Sequence, residues 1–290
     1  MANVLDTVGN TPMVELQRIN PNPKVRIFAK LEGNNPGGSV KDRPALNMIR
    51  SAMERGEINE HTKLIEATSG NTGIAMALMA RLFNLQLELI MPSTSTRERV
   101  LTMQAFGAKV VLLDNMEVCR DHAEEKAATG NYYLLNQFAN PDNYMAHYKT
   151  TGPEILRDTE GGITHFVSSM GTTGTIMGVS MYLKEKNAGI QIIGCQPTEE
   201  ASIPGIRRWP TAYLPKIFDA SRVDKILDIT QEEAVMTTRR LANEEGIFAG
   251  MSSGGAASAA LRVAAELESG TIVFIVCDRG DRYLSSDLFG

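Results

Sequence analysis

Long apolar runs are missing from this sequence, and its few cysteines and histidines are widely scattered. No run approaches the roughly 18 to 20 apolar residues that cross a bilayer, and the first residues lack the basic start of a secretory signal. Cys119, Cys195 and Cys277 are odd in number and far apart, which argues against a disulfide framework or a zinc site. No two of the four histidines lie at metal-ligand spacing. We therefore expect a cytoplasmic protein with reduced thiols that uses no metal.

Charge of one sign is not concentrated in any part of the chain. The 29 basic and 34 acidic residues give a net charge of −5. Because nucleic-acid-binding proteins usually present a basic face, we expect no nucleic acid partner. Hydrophobic residues at 43% and charged residues at 22% are typical of a globular protein, and 290 residues suffice for one large domain or two ordinary ones.

Short apolar runs alternate with longer segments of helical periodicity. The predicted strands are 25–31, 64–67, 87–91, 109–113, 164–168, 191–195 and 272–277. The predicted helices are 74–82, 98–106, 117–128, 175–186, 232–245 and 256–267. Several strands are apolar throughout, as strands buried on both faces of a parallel sheet must be. The alternation predicts doubly wound α/β architecture, and turn-like sequence at 140–143 predicts a join between two such series near 141–153.

A single lysine follows a turn-like segment at 35–40, at the point where a helix is expected to begin with Asp42. Ligands of open α/β sheets bind beyond the carboxyl ends of strands, so such strand-to-helix turns are where chemistry is expected. Near helix-terminal amides Lys41 can be desolvated and lose its proton easily, which a Schiff-base lysine requires. An ordinary surface lysine at a helix start is the alternative.

The segment 66–75 runs from a strand through a small polar loop into an alanine-rich helix. Free amides at the helix start, together with the hydroxyl and amide side chains of 68–72, form a pocket suited to a carboxylate. Ordinary N-capping is the alternative, but capping needs one such residue rather than five polar or glycine positions in a row.

The segment 168–175 follows an apolar strand and precedes another helix. The segment 250–255 also leads into a helix, but it is a weaker signal, because serine and glycine commonly start helices. Glycines let the backbone approach an anion, while hydroxyls and helix-start amides supply donors. No lysine follows the last glycine of 168–175, and the spacing is not that of a dinucleotide fingerprint. A small phosphate monoester therefore fits this loop best, with a plain tight turn as the alternative.

Together and in this order, the four segments resemble the fold-type II pyridoxal-phosphate enzymes, the tryptophan synthase β family. The likeness runs from 8–12 to 278–282 and is closest to the O-acetylserine sulfhydrylases, or cysteine synthases. It implies a homodimer of chains with two doubly wound α/β domains and pyridoxal 5'-phosphate in the cleft between them. The implied parts are an N-terminal segment 1–34 that crosses to the second domain, a smaller mobile domain 35–145 and a larger domain 146–290.

The resemblance also implies a role for each matching position. Lys41 matches the lysine that binds the cofactor covalently and serves as catalytic base, Asn71 the asparagine on the ring oxygen, and Ser252 the serine facing the pyridine nitrogen. The implied phosphate loop is Gly171, Thr172, Thr173, Gly174 and Thr175. The implied substrate-carboxylate site is Thr68, Ser69, Gly70, Thr72 and Gln137.

Thr173 and the segment 202–210, which contains Arg207 and Arg208, resemble the B isozyme, which takes thiosulfate as well as sulfide. Two adjacent arginines suit a doubly charged sulfur donor, and a solvated basic pair is the alternative. The implied reaction is β-replacement: the acetoxy group of O-acetyl-L-serine leaves, and sulfide or thiosulfate takes its place, giving L-cysteine or S-sulfocysteine. Lys41 removes and returns a proton.

Three other interpretations remain open. Within the same class, the chain could be similar to cystathionine β-synthase or to the serine or threonine dehydratases. The sequence has no room for the extra segments of long cystathionine synthases, and 171–175 lacks the run of glycines common in dehydratases. A catalytically silent paralogue with a binding role is the third interpretation, against which the retained Lys41 and Asn71 argue.

Overall fold

The computed structural model of the chain describes residues 3–68 and 70–290. Its strands are β1 (Met13–Glu15), β2 (Val25–Leu31), β3 (Lys63–Ala67), β4 (Gln86–Pro92), β5 (Lys109–Leu113), β6 (Tyr133–Leu134), β7 (His165–Ser169), β8 (Gln191–Pro197), β9 (Lys225–Ile229) and β10 (Gly270–Val276). Its α-helices are α1 (Asp42–Glu54), α2 (Asn71–Leu82), α3 (Arg97–Ala105), α4 (Met116–Ala128), α5 (Pro141–Lys149), α6 (Thr151–Asp158), α7 (Gly174–Lys186), α8 (Gln231–Glu245) and α9 (Met251–Glu266).

The strands form two sheets. One has six strands in the order β1-β2-β10-β7-β8-β9, and the other has four in the order β5-β4-β3-β6. All neighbouring pairs are parallel except β1 with β2. The predicted α/β class is confirmed, and each predicted strand agrees with an observed one to within two residues at either end.

The early strand β2 belongs to the sheet that the end of the chain completes. Val25 to Leu31 pair residue by residue with Gly270 to Val276 of β10. The chain therefore begins in the six-stranded sheet, leaves it to build the four-stranded sheet, and then returns. This route places the segment that follows β2, which contains Lys41, between the two sheets.

Both faces of the central strand β10 are buried, which explains its continuous apolar sequence. Ile272 and Phe274 pack into one hydrophobic cluster, with α9 above it. Val273 and Ile275 point the opposite way into a second cluster, which α7 covers. Because the two side-chain directions of a strand alternate, each face of the sheet receives its own core.

Turn-like sequence was predicted at 140–143, within the join between the two series near 141–153, and the prediction of a turn is wrong. Helices α5 and α6 occupy the region almost continuously. The Asn140 side chain accepts a hydrogen bond from the Asp142 N–H at 2.9 Å, and Pro141 takes the first helical position. Asn followed by Pro suits a turn, but it suits an N-cap and first helical residue equally well.

Helix α9 begins earlier than predicted, at Met251 rather than Ala256. Its first turns pack so tightly on α8 that a Cβ at Gly254 would lie 2.3 Å from the Ala234 carbonyl oxygen. Glycine in this segment therefore permits close helix packing instead of marking a loop. The correction places Ser252 inside the first turn of a helix.

No helix within residues 3–68 and 70–290 is both long and apolar enough to cross a membrane. Across the same described residues, no group of His, Cys, Asp and Glu side chains is arranged to hold a metal ion. The three cysteines are free thiols, of which Cys119 and Cys195 are buried and Cys277 is partly exposed.

Candidate active site

A cavity of about 310 Å³ lies where carboxyl ends of strands from both sheets meet. Most of the predicted site residues line it: Lys41, Thr68, Gly70, Asn71, Thr72, Gln137, Gly171, Thr172, Thr175, Arg207, Arg208 and Ser252. Thr173 and Gly174 lie in the same loop between two lining residues, and Ser69 falls outside the described residues. The structure thus brings the four sequence segments together at one place.

Lys41 immediately precedes helix α1 and is held by the end of β10. The Val40 N–H donates to the Cys277 carbonyl at 2.8 Å, and Ser39 forms a β-bridge with Asp278. Burial lowers the pKa of Lys41, although the acidic groups of Cys277 and Asp278 oppose that shift. A lysine that loses its proton more readily is a better nucleophile and base.

The side chain of Asn71 is held from two sides by the last segment of the chain. Its Nδ2 donates to Asp278 Oδ2 at 2.7 Å, and its Oδ1 accepts a hydrogen bond from Arg282. Tyr283 Oη also donates to Asp278 Oδ2 at 2.7 Å. Because an amide nitrogen carries two hydrogens, one remains for a ligand in the cavity. Sequence reasoning used 278–282 only to mark the extent of the resemblance and did not find this contact.

The loop between β7 and α7 is shaped for an anion. A Cβ at Gly171 would lie 2.8 Å from the Gly205 carbonyl oxygen, so only glycine fits there. Thr173 adopts a left-handed conformation with φ of +70°, which is unusual for a β-branched residue, and its side chain does not cap the helix. Its hydroxyl is buried without a hydrogen-bond partner among the described residues. An unused hydroxyl beside free amides at the start of a 13-residue helix fits a phosphate group.

Gln137 is positioned by a buried carboxylate on strand β3. The two oxygens of Glu66 accept the backbone N–H groups of Asn136 and Gln137, at 2.9 and 3.3 Å. The Gln137 side chain in turn accepts a hydrogen bond from Thr72 Oγ1 at 2.8 Å. Glu66 and Thr72 thus both hold the segment 136–137. Burial raises the pKa of Glu66 to about 7, against the opposing effect of the two N–H donors.

Replacing Glu66 by glutamine is expected to change how stability depends on pH. The wild-type carboxyl has a pKa of about 7 when folded and about 4.5 when unfolded, so its contribution is present below pH 4.5 and is lost as pH rises through 7. This difference in pKa corresponds to a loss of about 3 kcal/mol in the free energy of unfolding. Glutamine does not titrate, so the stability of Glu66→Gln relative to wild type should rise over this interval. Urea unfolding of the cofactor-free proteins at a series of pH values measures it.

Glu154→Gln is expected to change the pH dependence of stability in the opposite direction. Burial would raise the pKa of Glu154, but the Arg43 guanidinium brings it to about 2. Wild type therefore gains stability as pH rises from about 2 to 4.5, and the disadvantage of this variant should grow over that interval. A pH-independent difference for Glu66→Gln would show that Glu66 has the same pKa in the folded and the unfolded protein, which would contradict the effect of burial.

Ser252 and Cys277 lie side by side in the cavity wall. Ser252 is in the first turn of α9, and its carbonyl accepts a hydrogen bond from Ser169 Oγ at 2.6 Å. The thiol of Cys277 has its pKa raised to about 11 by burial, with nearby Lys41 opposing the shift. Sequence reasoning treated Cys277 only as a reduced thiol, because nothing in its spacing placed it beside Lys41.

Arg207 and Arg208 point to different surroundings. Arg208 Nε donates to the Pro197 carbonyl at 2.8 Å, and its Nη2 forms an ion pair with Asp228 at 2.5 Å. The Arg207 side chain is exposed and makes no hydrogen bond or ion pair within the part of the chain that the structure describes. Trp209 joins this loop to the anion loop by donating to the Gly171 carbonyl at 2.7 Å. Arg207 is therefore the arginine available to a ligand.

Comparison with known proteins finds relatives that match nearly the whole length of the chain. A family model described as pyridoxal-phosphate dependent enzyme matches residues 4–278. The chain is 58% identical to cysteine synthase B of Pseudomonas aeruginosa, with 99% of this chain and 97% of the relative covered. It is 56% identical to cysteine synthase B of Escherichia coli K12, with coverage of 100% and 97%.

Solved structures agree with this relationship. The structure of an O-ureido-L-serine synthase superposes with a TM-score of 0.94 at 35% identity, covering 100% of this chain and 95% of that one. A cysteine synthase from Entamoeba histolytica gives a TM-score of 0.94 at 39% identity, with coverage of 100% and 90%. The likeness predicted from the four sequence segments is confirmed. With its two sheets, its lysine in the cavity wall and its anion loop, the chain belongs to the family of pyridoxal-phosphate-dependent enzymes.

Proposed function

We propose that this enzyme is a cysteine synthase of the B type, which replaces the acetoxy group of O-acetyl-L-serine by sulfide or thiosulfate. The observation that carries the proposal is the meeting of Lys41, Asn71 and the loop at 171–175 in one cavity. The two bacterial relatives at 58% and 56% identity, both named cysteine synthase B, support the choice of reaction.

The residues present fit the cofactor at each of its ends. Lys41 would hold it covalently, Asn71 would donate to its ring oxygen, and Ser252 would lie at its pyridine nitrogen. The phosphate would be held at 171–175, where the loop offers hydroxyls and helix-start amides. Pyridoxal phosphate, when bound, supplies a carbonyl carbon that takes up amines and a ring that accepts electron density from the substrate.

The protein contributes positioning and proton transfer. Thr68, Ser69, Gly70, Thr72 and Gln137 bind the substrate carboxylate. Lys41 removes the α-proton, acetate leaves, the sulfur donor adds at the β-carbon, and Lys41 returns the proton. Ser252 is a neutral hydroxyl, so it does not force a proton onto the ring nitrogen as a carboxylate would. Acetate departs before sulfur arrives, so ping-pong kinetics are expected.

Three further features belong to this proposal. The unit 35–145 is the mobile part, because it carries the loop at 68–72 that closes over the substrate carboxylate and excludes water. The N-terminal segment 1–34 and the region 146–290 form the larger unit on the other side. The working protein is a cytoplasmic homodimer, which rests on the family resemblance and on the free thiols.

Turnover with a panel of nucleophiles tests the reaction. Purified holoprotein with O-acetyl-L-serine should form L-cysteine from sulfide and S-sulfocysteine from thiosulfate. Homocysteine tests the cystathionine β-synthase alternative, and pyruvate formation from serine or threonine tests the dehydratase alternative. Faster turnover with homocysteine than with sulfide and thiosulfate, or dominant elimination, would contradict the proposal.

Arg207→Ala is expected to impair thiosulfate use selectively. A guanidinium binds the sulfonate oxygens of thiosulfate by charged hydrogen bonds, each contributing about 1.5–3 kcal/mol, or about 10- to 150-fold in kcat/KM. Sulfide has no such oxygens, so its kcat/KM should change little. The matched control is Arg208→Ala, because Arg208 is already engaged by Asp228 and the Pro197 carbonyl. Equal losses with both donors for Arg207→Ala would mean that Arg207 acts in the first half-reaction or the fold.

A further inference from the structure

Helix α5 packs directly behind the loop at 171–175, and two of its buried side chains reach that loop. Asn143 and His147 lie four residues apart, so they share one face of the helix, and they are 3% and 1% exposed. The contact is close, because a Cβ at Gly174 would lie 2.0 Å from Asn143 Oδ1. Neither residue was predicted from the sequence to belong to the site.

The hydrogen bonds around Thr172 leave only its hydroxyl proton free to bind another group. A threonine hydroxyl has one proton and two lone pairs. Thr172 Oγ1 accepts hydrogen bonds from Asn143 Nδ2 at 3.3 Å and from the Gly174 N–H at 3.5 Å. Both lone pairs are therefore engaged, and only the proton can bind a further group. The second amide hydrogen of Asn143 goes to the Gln137 carbonyl at 2.6 Å, which fixes the orientation of the amide.

Thr175 meets a histidine that must be neutral. His147 Nε2 lies 3.3 Å from Thr175 Oγ1, and Nδ1 lies 2.9 Å from Thr151 Oγ1. Burial, followed by the nearby charges of Arg43 and Lys41, lowers the pKa of His147 well below its usual value. The ring therefore carries one N–H, at either Nδ1 or Nε2.

The two tautomers give Thr175 opposite polarity. If Nδ1 carries the hydrogen, it donates to Thr151, and Thr175 uses its own proton on the bare Nε2. If Nε2 carries the hydrogen, it donates to Thr175, and Thr151 donates to Nδ1. Only the second arrangement leaves the Thr175 proton free to point into the cavity.

We propose that Asn143 and His147 are positioning residues that direct the hydroxyl protons of Thr172 and Thr175 toward the cofactor phosphate, with His147 as the Nε2–H tautomer. A phosphate dianion offers only acceptor oxygens, so a threonine that presents a lone pair would repel it. The inference rests on the proposed function, because the anion concerned is the phosphate of pyridoxal 5'-phosphate. Neither side chain touches the reacting atoms.

The tautomer can be measured in the unmodified protein. In ¹⁵N NMR of holoprotein labelled at histidine, protonated and bare ring nitrogens resonate at clearly different shifts. The expected result is a protonated Nε2 and a bare Nδ1 for His147, whose signals are assigned by their loss in His147→Gln. A protonated Nδ1 with a bare Nε2 would overturn the proposal, whatever the variants do.

Binding measurements separate positioning from a structural role. His147→Leu removes the donor, whereas His147→Gln keeps an amide N–H near the position of Nε2. For cofactor-free protein, His147→Leu should weaken binding of pyridoxal 5'-phosphate by about 10- to 100-fold, and His147→Gln should recover most of that loss. Binding of pyridoxal, which lacks the phosphate, should change less than about threefold. His165→Leu, at the opposite end of β7, is the control and should leave both affinities unchanged.

The outcomes distinguish this inference from the proposed function. Equal weakening of both ligands by His147→Leu would mean that His147 only supports the fold, which overturns the inference and leaves the cofactor assignment intact. Failure of the Gln variant to recover phosphate-dependent binding would also count against donation from Nε2. Wild-type protein that bound no pyridoxal 5'-phosphate would overturn the proposed function itself, and the inference with it.

Discussion

Replacing Arg43 by methionine is expected to lower the free energy of unfolding of the cofactor-free protein by about 3 to 5 kcal/mol. Arg43 is 2% exposed, and its guanidinium donates to both oxygens of Glu32 and both oxygens of Glu154 at 2.7 to 2.8 Å. Methionine occupies the space without the charge, so Glu32 loses its ion-pair partner and Glu154 loses one of its two. Urea unfolding, with the midpoint and slope compared with wild type, measures the loss.

Arg26→Met is the matched control. Arg26 pairs with Glu15 at the same 2.7 Å distance, but its side chain is 62% exposed. Exposed pairs contribute about 0 to 1 kcal/mol because water screens the charges. The two substitutions are chemically identical, so the difference between them isolates burial. Similar losses for both variants would contradict the assignment of Arg43 as the centre of a buried network.

Through this network, the segment that contains Lys41 is held in place by distant parts of the chain. Glu32 follows β2, Glu154 lies in α6, and Arg43 lies two residues after Lys41. Lys30 joins the same network, since its Nζ lies 2.9 Å from Glu154. Glu154 keeps this ion pair in Arg43→Met, whereas Glu32 loses its ion-pair partner. Adding Glu32→Gln to Arg43→Met should therefore recover part of the lost stability, because it removes that unpaired buried charge.

The strands of this fold were predictable because burial on both faces makes them apolar. The runs at β3 and β10 are examples, and they were found to within two residues. The edge strand β9, Lys225–Ile229, was missed because only Leu227 and Ile229 are buried, and the charged residues Lys225 and Asp228 interrupt the apolar run. The two-residue strand β6 is too short to leave any pattern.

The local sequence at helix starts is compatible with either a turn or an N-cap. Asn140 and Pro141 were interpreted as a turn, although the same residues cap and begin α5. That error hid His147 as well, because a helix at this position is what places it four residues from Asn143 and behind the anion loop. Helical spacing within 141–149 was the available signal.

Which residues line the cavity was largely predictable from the sequence, whereas the contacts that their side chains make were not. Loop motifs identified the residues that now line one cavity, since glycines and hydroxyls at strand-to-helix turns have a local physical reason. The sequence could not determine which of Arg207 and Arg208 is free to bind a ligand, because the answer depends on the ion pair of Arg208 with Asp228 in a separate strand. Asp278 and Cys277 were missed for the same reason: their role comes from long-range pairing with 39–40.

Lys41→Ala is expected to abolish covalent attachment of the cofactor and to lower turnover by about 100- to 10,000-fold from the loss of proton transfer alone. Burial lowers the pKa of Lys41, so the wild-type amine is more readily neutral than an exposed lysine. Alanine provides neither a nucleophile nor a base. Visible absorbance of the bound cofactor, mass after borohydride reduction, and turnover with O-acetyl-L-serine and sulfide are the measurements.

Two companion variants separate the possible causes of that loss. Lys41→Arg keeps a positive charge near Cys277 and Asp278 but cannot attach the cofactor or accept a proton at neutral pH, so it should be as inactive as alanine. Lys24→Ala, at an exposed lysine before β2, should retain wild-type absorbance and turnover. Activity retained by Lys41→Arg would mean that Lys41 contributes its charge alone. Full turnover by Lys41→Ala would mean that another group carries both the attachment and the proton transfer.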